Sequence, residues 1–112
     1  MSAKTSKLRY NQGKANTPGT LFETIDFSRN GHEIAPFKGG RFTIQPGELS
    51  KLDQHQVREC WVVAQGEGIL NHDGTPVNIS PGDYVFFDSM ETHQVKNTGR
   101  DVLIIHSVWW DA

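Results

Sequence analysis

Residues 47–66 read GELSKLDQHQVRECWVVAQG, and between the bounding glycines Gly47 and Gly66 they carry three potential ligands, Asp53, His55 and Glu59. In an extended chain residues i and i+2 point the same way. Asp53 and His55 therefore face one interior, and Glu59 joins them once the chain has turned through Gln56-Val57-Arg58. Trp61 and Val63 share the parity of Glu59. Trp61 is thus placed either to line a cavity beside the ligands, packing a substrate and excluding water, or simply to fill the core. Further along the chain His93 offers a second imidazole and needs only a neighbouring strand to reach the first three residues. Imidazole nitrogen with carboxylate oxygen is a donor set for divalent iron, manganese, nickel or zinc, whereas Ca²⁺ and Mg²⁺ sites are dominated by oxygen.

Outward from this stretch, the chain from Leu21 breaks into short apolar or alternating runs separated by Gly, Pro, Asn and Asp, with no helix-period segment. The expected strands are Leu21–Phe27, Arg41–Gln45, Glu59–Gln65, Gly68–His72, Val77–Ile79, Tyr84–Phe87, His93–Asn97 and Val102–Trp110. Gly66-Glu67, Asp73-Gly74, Pro81-Gly82 and Thr98-Gly99 join several of them. Eight such strands suit an all-β jelly roll or small barrel. Residues 1–19 are polar and hold a Pro18-Gly19 turn signal, so they read as a leader that hangs loose or lies along a partner subunit, ahead of a barrel over 20–112. The last strand is apolar on both faces, as expected of a strand packed on the barrel interior on one side and on another sheet or subunit on the other. A homodimer is the economical expectation.

Here the residues resemble a known family. Gly47-x₅-Asp53-x-His55-x₃-Glu59-x₆-Gly66 is similar to the first cupin motif, and Gly82-Asp83-x₉-His93-x₃-Asn97 to the second. The resemblance, extended over the flanking strands, covers everything after about residue 20. It implies a single-domain cupin fold, a double-stranded β-helix or jelly-roll barrel, holding one divalent transition metal, Fe(II), Zn(II) or Mn(II), through Asp53, His55, Glu59 and His93. Two departures stand out: Asp53 replaces the first histidine of the usual motif, and Asp88 and Met90 replace the usual proline and glycine ahead of His93. If Asp53 ligates, two histidines and two carboxylates neutralise the ion and lower its Lewis acidity. If it does not, the remaining three form the two-histidine, one-carboxylate face associated with non-haem Fe(II) oxygenases, and Asp53 is free to act as a general base.

The rest of the composition narrows the classes. A length of 112 residues allows one core, and 36% hydrophobic with 21% charged residues suits a soluble globular domain. A net charge of -2 without consecutive Lys or Arg provides no footprint for nucleic acid or an anionic membrane. Cys60 is the single cysteine, which excludes an internal disulfide and a multi-thiolate zinc site; it reads as packing filler. The polar start lacks the apolar region of a signal peptide, so a cytoplasmic location is expected. His32 in a polar loop and His72 beside the Asp73-Gly74 turn are expected to be exposed. Arg41, Thr43 and Gln45 alternate with Phe42 and Ile44. If that polar face looks inward, Arg41 clamps a substrate carboxylate or phosphate and Gln45 bonds near the metal. His106 reaches the pocket if its face of the last strand is the inner one. The expected function is a metal-dependent cupin enzyme acting on a small polar molecule bearing a carboxylate or carbonyl, with Asp53 and Glu59 moving protons and a non-haem Fe(II) dioxygenase as one form. The alternatives are a redox-neutral zinc or manganese isomerase, lyase or tailoring enzyme, and a non-catalytic module that binds or senses a small ligand.

Overall fold

Alternation of buried and exposed positions along the chain builds two facing sheets. In a computed structural model, described here for residues 6–112, these residues form eleven strands and no helix. They are β1 (Arg9–Tyr10), β2 (Thr20–Asp26), β3 (Ser28–Arg29), β4 (His32–Glu33), β5 (Lys38–Ile44), β6 (Arg58–Gln65), β7 (Gly68–His72), β8 (Thr75–Ile79), β9 (Tyr84–Phe87), β10 (His93–Asn97) and β11 (Leu103–Trp110). One sheet has the order β1-β2-β5-β11-β6-β9, the other β10-β7-β8, and β3 pairs with β4 alone. Every named pairing is antiparallel. The eight strands expected from the sequence are present, β5 and β8 starting earlier than the alternation indicated.

The inner faces meet in a core of Ile44, Trp61, Val63, Phe87, Leu103 and Ile105 from the larger sheet and Leu70, Ile79 and Val95 from the smaller. Burying each of these side chains stabilises the fold by about 1.5–3 kcal/mol. The inward parity in β6 is 59, 61 and 63, in β10 it is 93, 95 and 97, and in β11 it is 103, 105 and 107. These three runs bring the site residues Glu59 and His93 to the interior from opposite sheets.

Several motif residues hold this frame together. Gly66 turns the chain from β6 in the larger sheet to β7 in the smaller at φ 86°, where a Cβ would meet the Val102 carbonyl at 2.8 Å, so no larger residue fits without displacing the backbone. Asn97 is buried; its amide nitrogen donates to the Ile44 and Asp101 carbonyls at 2.9 and 2.8 Å, and its oxygen accepts from Gly99 N–H at 2.9 Å. The second-motif asparagine thus ties the 98–101 turn to β5. The segment after Gly47 runs beside β10, with backbone bonds from Ser50 N–H to the Val95 carbonyl and in both directions between Asp53 and His93. That pairing delivers residues 53–55 to the mouth of the barrel. Upstream, Arg9 and Tyr10 pair with Asp26 and Ile25, and Lys14 bridges Phe22, so the chain before β2 lies back along that strand. Residues 1–5 of the expected leader lie outside the described residues.

Candidate metal centre

Glu59 projects inward from β6, His93 from β10, and His55 from the segment between β5 and β6. The Nε2 atoms of His55 and His93 each lie 3.1 Å from Glu59 Oε1. On the far side of each ring, His55 Nδ1 is 3.2 Å from the Val57 carbonyl and His93 Nδ1 is 3.4 Å from the Glu91 carbonyl. In the tautomer that donates from Nδ1 to the carbonyl, each Nε2 presents a lone pair toward Glu59 Oε1. Two imidazole nitrogens and a carboxylate oxygen therefore converge, a donor set that a cation fills when both rings take that tautomer.

Two further observations fit a metal. Among the described residues, the fully buried His93 Nε2 has no hydrogen-bond partner, because its approach to Glu59 is close in distance but wrong in direction. Glu59 is also held ionised at depth. Burial pushes its carboxyl up, but the facing His93 imidazole, the Ser107 hydroxyl and the Trp61 indole together bring it below the ordinary value. Trp61 Nε1 donates to Glu59 Oε2 at 2.8 Å and the Ser107 hydroxyl donates to the same oxygen. Oε2 is thus fully engaged and Oε1 is left for the ion. The rings are packed as well: Phe87 stacks on His93 at 4.2 Å and Trp61 meets it edge-on at 5.4 Å.

Asp53 stands apart from this trio. It is partly exposed and lines the same cavity as His55 and Glu59, but its Oδ1 lies 3.7 Å from Lys51 Nζ and it is not among the ligand atoms that fall within 4.8 Å of one another. The cavity, about 220 Å³, is walled by Phe22, Phe42, Val57 and Trp109, with Asn16 and Asp53 as its other polar lining beside His55 and Glu59.

Of the remaining expected residues, Trp61 is at the site, as a core residue and a donor to Glu59. Arg41, Gln45 and His106 are not, which corrects their expected place on the inner face. In β5 the apolar positions Phe42 and Ile44 point inward. Arg41 is turned away to Glu23, with Nη2 2.9 Å from Oε1, and sits 4.0 Å over the Tyr10 ring. Gln45 is exposed beyond the end of β5. His106 faces outward, opposite Arg41 and Val62 in the ladder, since Leu103, Ile105 and Ser107 take the inward parity. Sequence reasoning missed Ser107, whose only signal is a small polar residue on the parity of Ile105. It also missed the walls formed by Phe22, Phe42 and Trp109.

His72, expected to be exposed, is partly buried and forms a second group with Asp73 and Glu91, its Nε2 3.2 Å from Glu91 Oε1. Both carboxylates are committed to the local backbone: Glu91 Oε1 accepts from Asp88 N–H at 2.6 Å and Asp73 Oδ1 from Thr92 N–H at 2.7 Å. Cys60 lies on the outer face of β6, and burial followed by the Glu59 charge pushes its thiol up, which disfavours the thiolate.

Residues 40–109 match the cupin domain family, so the chain belongs to it. An oxalate-binding protein of Thermotoga maritima is 37% identical over 61 residues, 54% of this chain and 50% of the relative, so the match spans about half the length of that protein. Among solved structures, a protein from Photorhabdus luminescens superposes with TM-score 0.75 at 18% identity over 99% of this chain and 86% of its own. A predicted oxalate decarboxylase from Thermotoga maritima superposes with TM-score 0.72 at 24% identity over the whole of both chains. These structures show that the fold is the cupin jelly roll. Among the described residues no helix is long and apolar enough to cross a membrane.

Proposed function

We propose that this cupin is a metal-dependent enzyme in which His55, Glu59 and His93 hold one divalent transition ion and a small molecule bearing a carboxylate or carbonyl binds beside it. The observation that carries the reading is the convergence of three potential donor atoms, one of them a buried imidazole nitrogen with no hydrogen-bond partner among the described residues. The Thermotoga maritima relative named for oxalate binding supports a small-molecule ligand. A trio without Asp53 in contact favours iron over zinc or manganese and a dioxygenase over a redox-neutral isomerase or lyase. The ion when bound supplies Lewis acidity and, as iron, redox capacity toward dioxygen.

The chain's own residues do the rest. Ser107 and Trp61 orient Glu59 and keep it ionised. The aromatic walls exclude water from the cavity. Asp53, at the mouth with one carboxylate oxygen near Lys51, is placed to accept a proton from a bound molecule. Anaerobic purification with metal analysis, followed by substrate-dependent O₂ uptake, tests the proposal: one equivalent of iron and O₂ consumption support the dioxygenase. Stoichiometric zinc or manganese with turnover but no O₂ uptake supports the redox-neutral enzyme instead, and metal or ligand binding without turnover of any candidate supports a sensing module.

A homodimer through the outer face of the larger sheet belongs to the same proposal. Tyr84, Phe86 and Val108 are exposed there, and Phe86 stacks with Trp110 at 6.3 Å. Light scattering on wild type and Phe86→Asp tests it: a dimer that dissociates in the variant is expected, and a monomeric wild type refutes it.

A further inference from the structure

Beside the donor trio the cavity is unusual for what it lacks. Its lining holds two carboxylates, Asp53 and Glu59, and no Lys or Arg. Lys51 stands beyond Asp53 with a mostly exposed side chain, its charge already matched by that carboxylate, and Arg41 is committed to Glu23 on the other face of the sheet. With neutral imidazoles and Asp53 matched by Lys51, a divalent ion and Glu59 leave one positive charge. A monoanion entering the cavity would balance it, whereas a dianion would leave one negative charge in excess, and burying that charge is costly.

What the cavity does offer is aromatic surface. Phe22 stacks on Phe42 at 4.4 Å, Trp109 lies 5.9 Å from Phe22, and Phe42 continues to Trp61 at 5.7 Å. Phe22, Phe42 and Trp109 make one wall of the cavity, with Trp61 buried behind Phe42. At about 220 Å³ the space is below the roughly 300 Å³ at which drug-sized pockets begin, so it suits a small ligand such as one bearing a single ring. Asn16 in the lining adds a neutral donor and acceptor.

We propose that the cavity takes a small single-ring aromatic or similarly flat apolar molecule that presents one chelating oxygen pair to the ion and carries at most one negative charge. The proposal rests on the metal reading of His55, Glu59 and His93 and adds the class of ligand. The chelating end sits against the trio, and the ring lies along Phe22, Phe42 and Trp109. Small dianions are selected against by charge, and small aliphatic acids by the wall they leave uncovered.

Three probes share one chelating unit and differ only in the group attached: oxalate, pyruvate and phenylglyoxylate. The full chain is loaded with Co(II), one retained equivalent is verified, and each probe is titrated while the Co(II) visible spectrum and tryptophan emission are followed. Free Co(II) in water favours the dianion by simple electrostatics. The protein is expected to invert that order, with phenylglyoxylate binding at least tenfold more tightly than either pyruvate or oxalate. Trp109→Leu and Phe22→Leu should each reduce the preference over pyruvate to threefold or less while leaving Co(II) retention intact. The two positions lie on different strands, so a folding defect in one variant leaves the other informative. Retained Co(II) with oxalate binding most tightly, or with phenylglyoxylate no tighter than pyruvate, overturns the ligand class and leaves the metal reading standing. A protein that retains no Co(II) overturns the metal reading, and this proposal with it.

Discussion

Two histidine–carboxylate clusters flank Phe87, and they differ in what their lone pairs are doing. On one side Phe87 stacks on His93 of the His55–Glu59–His93 trio; on the other it meets the His72 ring edge-on at 5.0 Å, next to Asp73 and Glu91. Both clusters contain a buried Nε2 without a hydrogen-bond partner. In the trio, however, the His93 and Glu59 side chains are 1% and 5% exposed, and among the described residues no N–H or O–H outside the trio donates to Glu59 Oε1. In the second cluster the His72 and Glu91 side chains are 25% and 32% exposed, and backbone N–H groups already occupy the carboxylates. Ligand competence follows from uncommitted lone pairs held away from water, and residue type alone does not confer it. The second cluster reads as a clasp that closes the Asp73-Gly74 turn against the segment before β10.

The comparison predicts one metal per chain and a graded set of mutational effects. His93→Ala should abolish retention of a divalent transition metal through desalting, measured by elemental analysis. A variant that still keeps a full equivalent would break the assignment of the site to the trio. Ser107→Ala removes one of the two donors to Glu59 Oε2 and should lower metal affinity by roughly 10–100-fold in a competitive chelator titration, the range typical for loss of an outer hydrogen bond to a ligand. An unchanged affinity would mean that Trp61 alone orients the carboxylate.

Between the clusters, Met90 adopts φ 67° while its N–H donates to the His55 carbonyl at 2.7 Å. A side chain in that left-handed conformation is strained by roughly 1–2 kcal/mol, so Met90→Gly should raise stability by about 1 kcal/mol in urea unfolding with metal stoichiometry unchanged. A loss of stability would show that the exposed Met90 side chain still contributes packing that outweighs the strain. The smallest effect is expected at His72→Ala: metal stoichiometry stays at one and stability falls by about 1 kcal/mol or less, since the pair it breaks is partly solvated. Loss of a second metal equivalent in this variant would turn the clasp into a site and erase the distinction.

Much of the frame could be read from local pattern. Trp61 and Val63 share the parity of the motif's Glu59, and the turns at Gly66 and Asp73-Gly74 carry their own backbone signals. His55, Glu59 and His93 were legible because their register matched two motifs in the right order. The inner faces of β5 and β11 were not. Residues 102–110 are apolar on both parities, so neither periodicity nor composition distinguishes His106 from Ser107. In β5 either alternating set could have faced the core. The matter is settled by a contact far away in sequence, Arg41 with Glu23 and Tyr10, which only the pairing of β1, β2 and β5 brings together.

By itself, then, the sequence determined the all-β character, the strand order in the chain and the identity of the donor atoms, because side-chain alternation, turn propensity and ligand chemistry are properties of neighbouring residues. Which donors meet, which oxygen of Glu59 remains open, where Asp53 stands and what walls the cavity were decided only by the tertiary structure. Each depends on two sheets packing at a particular register, and that register is a sum of many long-range contacts that no short stretch encodes.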